Sequence, residues 1–505
     1  MLLSRENVQK INAAPVDLPN PASFTLPERV LQFGTGVLLR GLPDYYVDQA
    51  NKQGLFNGRI LVVKSTSTAG ADAFEQQDGL YTVCIKGKKD GKEVVQYTLN
   101  NAISRVLSAS TDWSSILEAA KNPDLQVVFS NTTEVGIVMS NDKLTDAPPA
   151  SFPGKLLAIL YERFGYFNGD PEKGLVILPT ELIAENAQKL KKIVLGLSAQ
   201  HNLETAFIAW LEEANDFCNT LVDRIVPGRL PAAEQEATEG LLGYQDELMI
   251  MAEPFSLWAI ETDSDRVRDK LSFASVDAGI VLVPSIDKFK EIKLRLLNGT
   301  HTLSCAAALW SGFVTVKEAM NNEVFRQFVQ GLMQKEIGQA IIGPYIEQQD
   351  VDTFANSVID RFSNPFLDHR WENIALNFTS KMNMRNIALL EKWYNKNPAP
   401  PQHIALGFAA YLKFMDTQGV DGQYIQAING NNVVLQDEFA PQLQTYWKDP
   451  RTVVKQVLSD DSLWGKDLNA YPDFAATVQY YLDEINAEGV LKTIEKLNTT
   501  WQVAY

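Results

Sequence analysis

From residue 28 onward the chain alternates short, β-branched apolar runs with longer stretches whose apolar residues recur at helical spacing, the pattern of a sheet crossed by helices. The runs at 29–33, 59–63, 126–129, 175–178 and 279–283 predict strands, each followed by glycine, proline or small polar residues. Between the second and third, segments 80–85 and 93–99 flank a Lys-Asp-Gly turn, an antiparallel excursion that predicts a mixed sheet. Helices are expected over 205–224 and 232–251. Beyond Pro284 strand signals nearly vanish, and 324–342, 373–395, 404–417 and 474–498 carry helical periodicity. Asp287 is placed to cap the first helix after that point. The pattern predicts an α/β domain with a mixed sheet over 1–284, then a largely α-helical domain over 285–505.

Size agrees with two bodies, since 505 residues exceed the roughly 250–300 at which one hydrophobic core stops growing. Forty-five basic against 62 acidic residues leave a net charge of -17, which repels phosphate backbones and anionic membranes, so neither nucleic acid nor a membrane is an expected partner. The one dense basic cluster, Lys86, Lys88, Lys89 and Lys92, is broken by Gly87, Asp90 and Gly91 and reads as a solvated hairpin tip. Cys84, Cys218 and Cys305 are far apart and odd in number, which fits buried free thiols in a reducing compartment. With no signal-like start and no window approaching 18 apolar residues, a cytoplasmic location is expected. The four histidines are scattered without metal-ligand spacing, so no metal is expected.

Two clusters carry candidate chemistry. Gly34, Thr35 and Gly36 follow the first strand and open a helix at Val37, where glycines permit a tight turn and helix N–H groups face a pyrophosphate. That is the arrangement of a Rossmann-type dinucleotide site, although Leu39 stands where a third glycine is usual. Lys64-Ser65-Thr66 ends the second strand where an acid often selects NAD, so NAD and NADP both remain open. The second cluster is Lys293, Asn298 and His301. At about 100° per residue Asn298 falls about 140° and His301 about 80° from Lys293, on one side of a helix. A lysine can exchange a proton with a carbonyl oxygen, an amide N–H can bind the developing alkoxide, and an imidazole can orient a hydroxyl. Gly299 between them costs about 1 kcal/mol in a helix and suggests a close approach.

These segments, with Gln77-Asp-Gly-Leu-Tyr81, Ser130-Asn-Thr-Thr-Glu134-Val-Gly136 and Asn219 before Val222-Asp-Arg-Ile225, resemble the long-chain mannitol dehydrogenase family across nearly the whole chain. Ser130–Glu134, Pro179-Thr-Glu-Leu-Ile183, Phe217–Val226 and Asn364-Pro-Phe-Leu-Asp-His369 are most similar to its tagaturonate reductase (altronate oxidoreductase) branch. The resemblance implies an N-terminal dinucleotide-binding domain and a C-terminal substrate-binding domain. It implies Lys293 as general acid/base, Asn298 on the oxyanion and His301 on the substrate oxygen. Gly34, Gly36 and Arg40 would serve the cofactor pyrophosphate, and Thr133 and Glu134 would lie beside the nicotinamide ribose. Val222 and Asp223 would line the substrate pocket. One departure matters: the family's Asp-Asn pair, whose Asn supplies a second oxyanion contact, is Glu181-Leu182 here. Either Asn298 acts alone or Asn186 compensates.

A uronate carboxylate needs a paired cation on desolvation. His369, Arg370, Lys381 and Arg385 are the candidates, and the family often places a basic residue at the position of Lys381. The expected activity is NAD-dependent interconversion of a ketouronate such as tagaturonate with a sugar acid such as altronate. Alternatives are a fructuronate reductase, a mannitol 2-dehydrogenase, or a non-catalytic dinucleotide-binding sensor. Monomer and dimer both fit.

Overall fold

The computed structural model describes residues 1–12, 15–64, 72–132 and 136–504, the last five through their main chain only. Contacts divide it into two compact units: Met1–Lys86 with Glu93–Ile286, and Gly87–Lys92 with the chain from Asp287 onward.

The strands of the first unit begin with β1 (Glu28–Phe33), β2 (Arg59–Lys64), β3 (Tyr81–Lys89), β4 (Lys92–Asn100), β5 (Ile103–Ser108) and β6 (Val127–Ser130). They continue as β7 (Val176–Pro179), β8 (Asp216–Phe217), β9 (Thr220–Asp223), β10 (Ile250–Ala252), β11 (Leu257–Glu261) and β12 (Ile280–Val283). Six of them form one sheet in the order β5-β2-β1-β6-β7-β8, every neighbouring pair parallel. Counted among themselves these strands run 3-2-1-4-5-6, the doubly wound dinucleotide-binding order. Both faces of the four inner strands are covered, which is why these read as apolar runs. Val30, Ile60, Val62, Val127, Phe129 and Val176 enter one core, while the alternating Leu31, Leu61, Val63, Val128 and Ile177 enter another.

The antiparallel excursion does not enter the main sheet. β3 and β4 form a separate sheet with β10, which pairs parallel to β3, and directions are mixed both there and in the sheet β12-β11-β9. The turn between β3 and β4 has the expected chemistry, with Asp90 and Gly91 both at positive φ (53° and 73°).

Two helices are shorter than their periodicity suggests. The helix Thr205–Glu213 stops well before residue 224, because the chain turns to pair β8 with β7. Asn215 fixes that turn, its amide donating to Trp210 O and its Oδ1 accepting from Leu175 N. The helix Ala232–Leu242 ends at Gly243, which adopts φ 79° and releases the chain towards β10.

In the second unit one core runs from Ile292 to Leu497. It is helical apart from a small sheet, β13 (Gln418–Val420), β14 (Gln423–Ile428) and β15 (Asn431–Leu435). Three π-helical segments, Lys293–Gly299, Gly331–Ile337 and Asn383–Ile387, interrupt its helices. No described helix is long and apolar enough to cross a membrane.

Candidate active site

In the first unit Gly34–Gly36 lie at the carboxyl end of β1, which pairs with β6; the connections of these adjacent strands diverge to opposite sides, the point at which doubly wound sheets bind ligands. Gly34 adopts φ 120°, and a Cβ there would sit 3.2 Å from Asn131 O and 3.1 Å from Leu39 Cδ1. Gly36 caps the Val37–Gly41 turn, with nothing within 4 Å of where its Cβ would be. A side chain at either position would deform or fill this cradle, so the loop fits a dinucleotide pyrophosphate.

Arg40 is committed to the fold beneath the loop. Its Nε donates to Thr35 O (3.3 Å), its Nη1 to Leu248 O (2.6 Å), and its guanidinium lies over the Tyr81 ring, whose hydroxyl donates to Arg40 O. Burial lowers its pKa from the ordinary arginine value. Lys64 pairs with the Asp72 carboxylate at the end of β2. Both line a cavity of about 580 Å³ walled by β5 residues Ser104–Ser108 and by Phe74, Glu75, Asp78 and Asp112.

Thr133 and Glu134 lie outside the described residues. The chain that leads to them is anchored by Glu181, a residue that sequence reasoning registered only as a departure. Its carboxylate accepts from Thr132 N (2.8 Å), Thr132 Oγ1 (3.0 Å) and Ser130 Oγ (3.1 Å), and burial raises its pKa against the lowering effect of those bonds. Leu182 is exposed. Asn186 offers no replacement amide, because its Nδ2 already donates to Pro179 O (2.9 Å), Glu181 O (3.1 Å) and Thr220 O (3.2 Å). Val222 and Asp223 are buried on β9, opposite Trp258 and Leu257, and Val222 belongs to the apolar core.

The second unit holds the other cluster. Lys293–Gly299 is π-helical rather than α-helical, and the α-helix Thr300–Trp310 continues it. With i→i+5 bonding, Asn298 lies one turn above Lys293, so the two share a side more closely than an α-helical projection gives. Both are half-buried. Gly299 allows a close approach from the segment Asn383–Ile387: a Cβ on it would lie 2.8 Å from Asn386 Oδ1.

His301 is buried, stacked on Phe362 (3.9 Å between ring centroids, 6° between planes) and edge-on to His369 (5.2 Å) and Trp371 (6.0 Å). Burial, then the fields of His369, Arg361, Arg385 and Lys381, hold its pKa well below the ordinary histidine value, so the imidazole is neutral at pH 7. Lys381, whose Nζ donates to Ile374 O (3.1 Å), has a pKa lowered by burial and by Arg385. Burial lowers the Arg385 pKa too, and burial with Lys381 lowers that of His369.

The fold therefore gathers His301, His369, Lys381 and Arg385, and adds Arg361, Phe362 and Trp371, which sequence reasoning missed. The last turn of the amphipathic helix Gln348–Phe362, just before the Asn364–His369 segment, was the signal for the first two. Among the described residues, buried polar atoms without a hydrogen-bond partner recur here: His301 Nε2, Thr300 Oγ1, Ser304 Oγ, Arg385 Nε and Asn386 Oδ1. Buried groups of this kind lack a partner from the chain itself. No set of three or more His, Cys, Asp or Glu side chains among the described residues could hold a metal ion. All three cysteines are buried and free.

Residues 28–272 match the mannitol dehydrogenase Rossmann domain and residues 285–486 the mannitol dehydrogenase C-terminal domain. The altronate oxidoreductase of Bacillus subtilis (strain 168) is 36% identical over 479 residues, 93% of this chain and 95% of that protein. That of Bacteroides thetaiotaomicron is 34% identical over 478 residues, covering 93% and 96%. Among solved structures, the Pseudomonas fluorescens mannitol 2-dehydrogenase ternary complex with NAD and D-mannitol superposes with TM-score 0.68 at 21% identity, covering 98% of this chain and 99% of that one. Substrate-free D-sorbitol dehydrogenase superposes with TM-score 0.76 at 19% identity, covering 98% and 100%. The two profiles and these full-length relatives show that the chain belongs to the mannitol dehydrogenase family.

Proposed function

We propose that this protein interconverts a ketouronate of the tagaturonate type with its sugar acid, altronate, using NAD. As a family member it is an oxidoreductase of CH–OH groups; the proposal concerns substrate, cofactor and residue roles. One observation carries it: beside the buried, neutral His301, whose pKa burial lowers most, lie the cations Lys381, Arg385 and Arg361 and the imidazole of His369, whose fields lower it further. A neutral polyol gives no reason to bring these cations together. A carboxylate does, because its desolvation must be offset by charge-assisted donors. The altronate oxidoreductase relatives point to the same substrate class.

In ketone reduction, Lys293 hands its Nζ proton to the carbonyl oxygen and Asn298 donates its amide N–H to the oxyanion. His301, neutral, holds a substrate oxygen through its ring nitrogen. Arg385 and Lys381 bind the carboxylate, and oxidation of the sugar acid reverses each proton move. With the Asn186 amide consumed by the main chain, Asn298 is the amide left for the oxyanion in this reading. When bound, NADH would supply the hydride for the carbonyl carbon. Gly34, Thr35 and Gly36 would cradle its pyrophosphate, with Arg40 bracing the loop. The cavity beside Lys64 supports NAD over NADP. Asp72, Glu75, Asp78 and Asp112 outnumber Lys64 and Arg105 on its described walls, Lys64 is paired to Asp72, and Arg105 to Glu28. A 2′-phosphate there meets surplus negative charge.

The test follows absorbance at 340 nm with tagaturonate, fructuronate and fructose, each with NADH and NADPH. Tagaturonate with NADH should give the highest kcat/KM, and Lys293→Ala should abolish turnover while NADH binding is retained. Consumption with fructose but neither uronate would overturn the substrate assignment, and near-normal activity of Lys293→Ala the proton role.

A further inference from the structure

One hydroxyl beside the candidate site is bonded in a way its neighbours are not. Thr302 is fully buried in the first turn of the helix Thr300–Trp310. Its Oγ1 accepts from Arg385 Nη1 at 2.9 Å and donates to Asn298 O at 2.9 Å. The hydroxyls of Thr300 and Ser304, on the same helix, are buried without a partner. Thr302 is thus the member of this group that reaches across to a second element, the π-helical segment Asn383–Ile387 that carries Arg385.

The two bonds have a consequence for an anion. A guanidinium is a planar fork, so fixing one Nη fixes the directions of the remaining donors. Arg385 Nε is buried and has no partner, which leaves a directed donor for a ligand to satisfy. Through the same oxygen, Arg385 is registered to the main chain of Asn298, the turn that carries the candidate oxyanion amide.

We propose that Thr302 is a positioning residue that aims the Arg385 fork at the substrate carboxylate and keeps it in register with Asn298. The proposal rests on the ketouronate reading above and deepens it: discrimination for a charged sugar acid depends on a buried hydroxyl that itself touches no substrate.

The experiment compares wild type with Thr302→Val, Thr302→Ser, Arg385→Met and the double variant T302V/R385M, with tagaturonate and NADH. Valine matches threonine in shape but removes both bonds. T302V should raise the KM for tagaturonate about tenfold while kcat stays within about twofold. T302S, which keeps the hydroxyl, should restore KM. In the R385M background T302V should have little further effect, because the hydroxyl acts through Arg385. An unchanged KM in T302V, an equal fold-loss in both backgrounds, or a T302S as impaired as T302V would overturn the proposal. The thermal midpoint of each variant separates a folding defect from these effects, and Thr302→Ala, which removes the same two bonds, should show the same rise in KM if T302V folds poorly. A wild type that reduces fructose and no ketouronate removes the substrate reading and this inference with it. A wild type active on tagaturonate with T302V unaffected removes this inference alone.

Discussion

His301 is the residue at which burial, charge and chemistry meet. Its folded pKa lies well below the unfolded value, so the unfolded chain binds its proton first as pH falls. Stability is therefore full above the unfolded pKa of about 6.5 and declines below it, by up to about 1.4 kcal/mol per pH unit from this group, until the folded pKa is reached. His301→Gln should flatten that part of the decline in unfolding midpoints measured from pH 7.5 to pH 5. A slope identical to wild type would show that the imidazole is not the group being charged. The sequence made His301 legible through its spacing from Lys293 and Asn298. Arg361 was not legible, since an arginine at the end of an amphipathic helix ordinarily lies in solvent and only tertiary packing buries it at 6% exposure. Asn186 shows the reverse. Its position suggested a spare amide, and only the positions of Pro179, Glu181 and Thr220 reveal that the amide is already used.

At the scale of elements, the four inner strands of the parallel sheet, β2, β1, β6 and β7, were legible because burial on both faces writes them as continuous apolar runs, whereas the edge strand β5, Ile-Ser-Arg-Val-Leu-Ser, was missed because only part of it is buried. β8 and β9 were missed too, because their few residues continue a helical pattern and only pairing with β7 and β11 makes them strands. The small sheet at 418–435 was missed although its turns, Asp421-Gly422 and Asn429-Gly430, all at positive φ, carry a hairpin signature. The π-helical segment Lys293–Gly299 was out of reach, as its apolar spacing is close to that of an α-helix. Within it, Gly299 admits Asn386, whose Oδ1 would lie 2.8 Å from a Cβ there. Gly299→Ala should therefore cost about 1–3 kcal/mol through overpacking and lower kcat by displacing Asn298, with the KM for NADH unchanged. Gly240→Ala is the control. That glycine sits inside the helix Ala232–Leu242 with open space around it, so alanine should stabilise by about 0.5–1 kcal/mol. Equal midpoints for the two variants would contradict the packing argument.

At the scale of the whole molecule, each unit has its own hydrophobic packing and its own cysteines. Cys84 and Cys218 lie in the first unit and Cys305 in the second, all buried, and burial pushes the first two thiols up to about 12 and raises the third as well. Thiolate is scarce and inaccessible in the folded state, so labelling reports opening of the surrounding unit. If the Gly34–Gly36 loop holds the dinucleotide, NADH binds the folded first unit and not its opened form. At about 100 times its Kd it should slow labelling of Cys84 and Cys218 about 100-fold, the ratio corresponding to about 2.7 kcal/mol of linkage. Cys305 should keep its rate if the second unit opens independently, and altronate should protect it in turn if the cations around His301 bind the carboxylate. Peptide mass spectrometry of a timed alkylation reads all three sites at once. Equal protection of the three by NADH alone would mean that the units open as one cooperative body. Protection of Cys305 alone by NADH would place the dinucleotide in the wrong unit and remove the assignment of the glycine loop.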